Sequence, residues 1–144
     1  MNVLVLHGPN LNLLGEREPG VYGKGTLAEL NALLRRKART LGLKLRIFQS
    51  NHEGRLIDLL HANRVWAAGV VFNPAAYTHY SYALRDAIAA VRKPVIEVHL
   101  TDIGKREKFR RVSVMKDVCF RQISGRGFQS YVEALETLAR RRRQ

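Results

Sequence analysis

Aliphatic positions along this chain fall into short continuous runs that alternate with stretches of helical spacing. Residues 3–6 form an unbroken aliphatic run, the pattern of a strand buried on both faces. A polar segment punctuated by Gly and Pro, residues 8–23, follows it. Thr26-Leu27-Ala28-Glu29 then has the capping-box pattern, and Leu27, Leu30, Leu33 and Leu34 carry an amphipathic helix to about Leu41, where Gly42 stops it. Leu43, Leu45 and Ile47 alternate with Lys44 and Arg46, which predicts a half-buried outer strand ending near Gln49. Ser50-Asn51-His52-Glu53-Gly54 opens a second helix with Leu56, Ile57, Leu59 and Leu60 on one side. Residues 65–72 contain the next buried strand, broken at Asn73-Pro74 because proline cannot continue a central ladder. A loop through Tyr77 and His79 leads to a helix carrying Tyr80, Ala83, Leu84, Ala87, Ile88 and Val91. Residues 95–100 predict a fourth strand, which places Glu97 and His99 on one face. A charged segment, 101–111, precedes a short strand within 118–123, a Gly125-Arg126-Gly127 turn and a last helix with Tyr131, Leu135 and Leu138 inward.

Strands separated by helices predict a parallel sheet covered on both faces and joined by right-handed crossovers. The expected fold is α/β, a flavodoxin-like three-layer sandwich with a five-stranded parallel sheet of order 2-1-3-4-5. Residues 1–144 would form a single domain with an Arg-rich end at 140–144. That order gathers the carboxyl ends of strands 1, 3 and 4 at the switch point, where ligands bind in such sheets. Asn10, Asn12, Arg17 and Tyr22 would come from the first loop, Asn73 and His79 from the third, and Glu97 with His99 from the fourth strand. Phenol, imidazole, carboxylate, amide and guanidinium together suit proton-transfer chemistry.

Charge changes this picture only in part. Lys and Arg number 25 against 12 Asp and Glu, a net charge of +13, which favours anionic ligands and leaves nucleic acid as a less favoured partner. The run Arg140-Arg141-Arg142-Arg143 reads first as a solvated helix end, where cations favour the helix dipole. The first loop has no Gly-x-Gly-x-x-Gly and no Ser/Thr-rich phosphate cradle, against a nucleotide or flavin module. Cys119, the single cysteine, fits a reducing cytoplasm and an inert core thiol. The expected location is the cytoplasm, with no membrane partner.

Four blocks in order carry a resemblance. They are Gly8-Pro9-Asn10-Leu11-Asn12-Leu13-Leu14-Gly15 with Arg17-Glu18-Pro19 and Tyr22-Gly23; Gln49-Ser50-Asn51-His52-Glu53-Gly54; Asn73-Pro74 with Ala76-Tyr77-Thr78-His79; and Glu97-Val98-His99-Leu100 followed by Arg106 and Phe109-Arg110-Arg111. From Val3 to about Leu138 the chain resembles the type II 3-dehydroquinate dehydratases of the shikimate or quinate pathways. The resemblance implies the fold reached above, no metal or cofactor, and a homo-oligomer in which trimers assemble to a dodecamer. It implies loss of water from the small anionic substrate 3-dehydroquinate through an enolate, without a lysine Schiff base.

By the same matching, Tyr22 is the base, with Arg17 and Arg110 as the cations that keep a phenol of ordinary pKa near 10 ionised. Asn10 serves the oxyanion directly or through a held water, and His99 is the acid, oriented by Glu97. Asn73, His79, Arg110 and an Asp86 from a neighbouring subunit would hold ring hydroxyls, and backbone amides at Leu100 and Thr101 the carboxylate. Arg106 would close over the site with Arg17 and Tyr22. On residue types alone, Asn10 and Asn12 also suit turn capping, and Asp86 also suits pairing with Arg85 or Arg92.

Departures from the family pattern cluster. Thr101-Asp102-Ile103-Gly104-Lys105-Arg106 stands where Ser-Asn-Ile-His-Ala-Arg is common, and Phe109-Arg110-Arg111-Val112-Ser113 where Phe-Arg-Arg-His-Ser is common. Lys24-Gly25 and Arg55 replace residues that are usually neutral or acidic. Asp102, beside the expected carboxylate pocket, would repel an anion unless Lys105 or an arginine offsets it.

Overall fold

The aliphatic runs become the strands of one parallel sheet. In the computed structural model, which describes residues 1–144, β1 spans Asn2–His7, β2 Lys44–Gln49, β3 Gly69–Asn73, β4 Val95–His99 and β5 Arg121–Ser124. They lie side by side in the order β2-β1-β3-β4-β5. The helices are α1 (Pro19–Tyr22), α2 (Leu27–Leu41), α3 (Glu53–Asn63), α4 (Tyr82–Val91) and α5 (Phe128–Arg142). The strand periodicity of two divides the core. Val3, Val5, Val71, Ile96 and Val98 face α2 and α5 through Leu30, Leu34, Tyr131, Leu135 and Leu138. Leu4, Leu6, Val70, Phe72 and Val95 face α3 and α4 through Leu56, Leu60, Leu84 and Ile88. Two buried faces on one sheet give the expected flavodoxin-like three-layer sandwich.

Local signals behave as their chemistry requires. Thr26 accepts from the Glu29 N–H and Glu29 reaches back to the Thr26 N–H, the full capping box of α2, and Gly42 ends it in the left-handed region. No helix is long and apolar enough to cross a membrane.

Boundaries differ where polar groups outcompete periodicity. Tyr80 is not part of α4; Ser81 caps that helix by accepting from the Leu84 N–H, so Tyr80 is left 60% exposed, and Ala83 also faces outward. β3 begins at Gly69, with Val65 exposed before it. β4 stops at His99 rather than at residue 100. β5 starts later than expected, because Lys116–Val118 forms a short 3-10 turn that uses up the apolar residues before it. The first loop is not irregular throughout: Leu11–Leu13 make a 3-10 turn and Pro19–Tyr22 a single helical turn. Gly25 packs where a Cβ would meet the Phe128 ring at 2.6 Å, so of the departure Lys24-Gly25 the glycine has a packing reason and nothing in the structure explains the lysine.

At the carboxyl end of β1, on the α2/α5 side, lies a buried polar chain. His7 Nε2 is 2.9 Å from Asn31 Oδ1, which can only accept, so His7 Nδ1 accepts from the Tyr131 hydroxyl at 2.9 Å. Burial pushes the Tyr131 hydroxyl well above the ordinary range. Burial likewise lowers His7 from 6.5 to about 4, against the opposing bond to Asn31.

A neutral buried His7 makes stability depend on pH. Between about 4 and 6.5 the unfolded chain binds a proton that the folded chain refuses, so stability falls on acidification through this window. The full difference is on the order of 3 kcal/mol. Denaturant melts from pH 7 to pH 4 should show a clear loss in the native chain and a smaller one in His7→Gln; parallel losses would remove His7 as the source.

Candidate active site

The sheet order brings three loops to one cleft of about 160 Å³. Asn10, Arg17 and Tyr22 enter from the first loop, Asn73 and His79 from the loop after β3, and His99, Leu100, Thr101, Arg106 and Arg110 from the end of β4 and beyond. Leu11, Leu14, Ala75, Ala76 and Ile103 give it an apolar lining. The first and third loops meet backbone to backbone. Gly8 N–H donates to Asn73 O at 2.8 Å, and a Cβ on Gly8 would stand 2.6 Å from Pro74 O, so only glycine permits this approach.

Asn10 has φ 68°, a left-handed conformation that asparagine tolerates, and its backbone N–H donates to Asn51 Oδ1 at 3.0 Å. Gln49 Nε2 ties the same region together, with Gly8 O at 3.2 Å, Asn51 Oδ1 at 3.1 Å and Asn12 Oδ1 at 3.4 Å. Asn12 therefore belongs to the loop's scaffold and does not line the cleft. Tyr77 completes the clamp by donating to Asn51 O at 2.8 Å.

Tyr22 is half-buried against two guanidiniums. Arg17 Nη2 is 3.5 Å and Arg106 Nη1 3.3 Å from its hydroxyl, and both cations lie over the ring at 4.8 and 5.5 Å from the centroid. The bond to Tyr22 raises Arg106 above its ordinary value. Of the two arginines expected near Tyr22 beside Arg17, Arg106, the lid residue, makes the contact and Arg110 does not; a 3.3 Å bond to Thr101 Oγ1 holds Arg106 over the cleft. Arg110 stacks on Phe109 at 4.8 Å. Its Nε is 3.2 Å from Glu107 Oε2 but the N–H is not aimed there, which leaves a buried donor unsatisfied at the cleft wall.

Across the cleft, His99 and Glu97 are 5% and 0% exposed, and His99 Nε2 lies 2.7 Å from Glu97 Oε1. Three more side chains donate to the same carboxylate: Thr78, Ser113 at 2.8 and 2.9 Å, and Gln122 at 3.0 Å. Desolvation works to raise Glu97, but the His99 hydrogen bond and charge, with the Thr78 and Ser113 hydroxyls, outweigh it and hold the carboxyl below its ordinary 4.5. Thr78, Ser113 and Asn51 stand inside the motif stretches quoted above but were given no role there, and Gln122 was not named. For Gln122 the register was the available signal, since it pairs directly with Glu97 across β4 and β5.

Asn73 lines the cleft while its Oδ1 accepts from the Ala75 N–H at 3.0 Å. His79 Nδ1–H donates to Val112 O at 2.7 Å, and burial lowers the ring from 6.5 in spite of that bond. Because the partner is a backbone carbonyl, the Val112 side chain is free to differ, and it is exposed. The backbone N–H groups of Leu100 and Thr101 have no acceptor within the chain. Asp102 does not line the cleft; it caps its own turn, accepting from the Gly104 N–H at 3.0 Å, with Lys105 Nζ at 3.9 Å. Asp86 lies exposed on α4, outside this cleft, and pairs with neither Arg85 nor Arg92, since Arg85 is drawn to Val114 O at 2.6 Å. Cys119 is partly buried, not a core thiol, and burial pushes it up to about 12.

The family model described as dehydroquinase class II matches residues 1–139. The 3-dehydroquinate dehydratase of Bacillus cereus is 52% identical over 142 residues, 99% of this chain and 97% of that protein. The crystal structure of a type II dehydroquinase from Butyrivibrio crossotus superposes with a TM-score of 0.94 at 42% identity, covering 96% of this chain and 97% of that one. That of Propionibacterium acnes gives 0.93 at 41%, with 96% and 95% covered.

The carboxylate cluster has its own pH signature. Stability supplied by the depressed Glu97 is fully present above 4.5 and is lost as pH falls through its lower native value. Glu97→Gln keeps the volume but loses the charge-assisted bonds, so it should cost about 1–3 kcal/mol at neutral pH and flatten the melt profile below pH 4.5. A variant as stable as the native chain at neutral pH would contradict the cluster's bonding.

Proposed function

The chain belongs to the class II dehydroquinase family and is a type II 3-dehydroquinate dehydratase; we propose that it works through an enolate, with Tyr22 as base and His99 as acid. The observation that carries this reading is a phenol under two guanidiniums facing, across one cleft, a histidine backed by a carboxylate. An ordinary phenol titrates near 10, and the positive charges of Arg17 and Arg106 supply the Coulomb attraction that a phenolate needs. The Tyr22 oxygen takes the proton next to the substrate ketone. The electron pair moves onto the ketone oxygen, where Asn10, its side chain unbonded within the chain, stabilises the enolate directly or through a water. The enolate collapses, the carbon–oxygen bond to the leaving hydroxyl breaks, and His99 gives that hydroxyl a proton. Water and the conjugated enone, 3-dehydroshikimate, are the products.

Binding follows the donors that the cleft leaves unsatisfied. The free N–H groups of Leu100 and Thr101 take the substrate carboxylate. Asn73, His79 and the guanidinium of Arg110, all lining the cleft, take ring hydroxyls. Asp102 is turned into its own cap with Lys105 nearby, which lessens its repulsion of an anion. Arg17, Tyr22 and Arg106 close over the bound ring, and exclusion of water strengthens every charge interaction beneath them. We further infer that a second copy of the chain supplies Asp86, in trimers that assemble to a dodecamer. Exposed Tyr82, beside Asp86 on α4, supports burial of that surface in an assembly. The unpaired Cys119 fits action in the cytoplasm. No feature of the cleft favours a nucleic-acid or scaffold role.

With 3-dehydroquinate added, absorbance of the conjugated enone should rise, and Tyr22→Phe should lower kcat by about 10²-fold or more with unchanged thermal melting. Persistent turnover in Tyr22→Phe would remove the base assignment. Borohydride added with substrate should leave the enzyme active, since no lysine imine forms; inactivation would point to a Schiff base.

A further inference from the structure

Glu97 and His99 account for the acid, yet Ser113 and Thr78 are left without a part, although both place hydroxyls on the Glu97 carboxylate. Their hydrogen-bond directions are settled by the neighbours. Ser113 Oγ accepts the N–H groups of Met115 at 3.2 Å and Lys116 at 3.1 Å, and its one proton goes to Glu97, at 2.8 and 2.9 Å, in preference to Thr78 Oγ1 at 3.2 Å. Gln122 offers only N–H to Oε2, and Thr78 donates to Oε1. With His99 added, all four side chains on the carboxylate can donate to it at once, which favours the ionised form, and a proton on Glu97 would have to displace one of these donors.

The stretch that follows the charged segment carrying Arg106 and Arg110 is held at the same place. Val114 N–H donates to Thr78 O at 2.8 Å, His79 donates to Val112 O at 2.7 Å, and Arg85 to Val114 O at 2.6 Å, so residues 112–114 are stapled beside the turn that contains Thr78. Ser113 sits in the middle of this staple and reaches the acid dyad directly.

We propose that Ser113 and Thr78 are positioning residues for the dehydration: they hold Glu97 ionised as an acceptor and thereby fix His99 as the group that delivers the proton, while Ser113 anchors the Arg106 segment to that dyad. The inference rests on the reading of His99 as acid. The other ionisable groups facing the carboxylate are His79, whose ring feels Glu97, and Cys119, which senses both Glu97 and Arg85. Removing a donor leaves Glu97 easier to protonate, and a neutral Glu97 carries a proton that competes for the space of the His99 N–H.

The test is kcat and KM against pH for Ser113→Ala and Thr78→Val, with Ser113→Thr and Thr78→Ser as hydroxyl-retaining controls and Gln122→Leu removing the third donor from β5. The truncations should lower kcat roughly tenfold to a hundredfold, the scale for outer partners of an oriented histidine, with KM changed about twofold or less. The acid limb of the kcat profile should move toward neutral pH, and the hydroxyl-retaining variants should restore both. Should the truncations fail to fold, the same limb shift is expected in Gln122→Leu alone. Unchanged kcat and an unchanged acid limb in the folded donor-loss variants would overturn the proposal, as would an equal loss in the hydroxyl-retaining pair. His99→Gln is measured alongside: full kcat there would sink the acid reading itself, whereas loss there with normal Ser113→Ala and Thr78→Val would sink only this inference.

Discussion

A carboxylate with no solvent exposure is the constraint on which the rest of this structure depends. Stripping an ionised carboxylate of water costs several kcal/mol unless other groups replace the water, and Glu97 is 0% exposed. Its donors come from four separate places: His99 from its own strand, Gln122 from the neighbouring strand, Thr78 from the turn after β3, and Ser113 from the end of the charged segment. To satisfy one residue, the chain must bring all four together. That convergence builds one wall of the cleft, and beside it His79 and residues 112–114, which follow the Arg106 segment, are held together.

The opposite wall follows a different logic, since Tyr22 belongs to a short helical turn at the surface. Its partners are charges rather than a packed core. Arg17 comes from the same loop and Arg106 from the segment anchored at the Glu97 cluster, so Tyr22 and His99 are linked through residues 101–113. Beneath both walls, Asn51 and Gln49 hold the first loop at Asn10, and a buried chain runs from Asn31 through His7 to Tyr131. Polar order below the cleft thus fixes the amides above it.

What was legible in the sequence were features with a local cause. The aliphatic run ending at Leu6, the capping box of Thr26 and Glu29, and the alternation that sets Glu97 and His99 on one face all depend on neighbours a few residues away. Four ordered motif blocks carried the family and the cleft residues. Illegible were features created by meeting across the fold. Thr78, Ser113 and Gln122 look like ordinary polar residues until the carboxylate they share is in view. Arg106 and Arg110 have the same side chain four residues apart, and only the bond from Thr101 chooses which one reaches Tyr22. Tyr80 fits the spacing of α4 and is excluded from it by the Ser81 cap.

The most direct measurement of the central claim is isotope-edited infrared spectroscopy of the chain with ¹³C-labelled glutamate carboxyls, with the Glu97→Gln spectrum subtracted to isolate one group. The account predicts that the Glu97 signal stays in the carboxylate stretch at neutral pH and remains there below the range in which an ordinary glutamate protonates. A protonated carbonyl band from Glu97 at neutral pH, or one that grows in with the exposed glutamates, would contradict it.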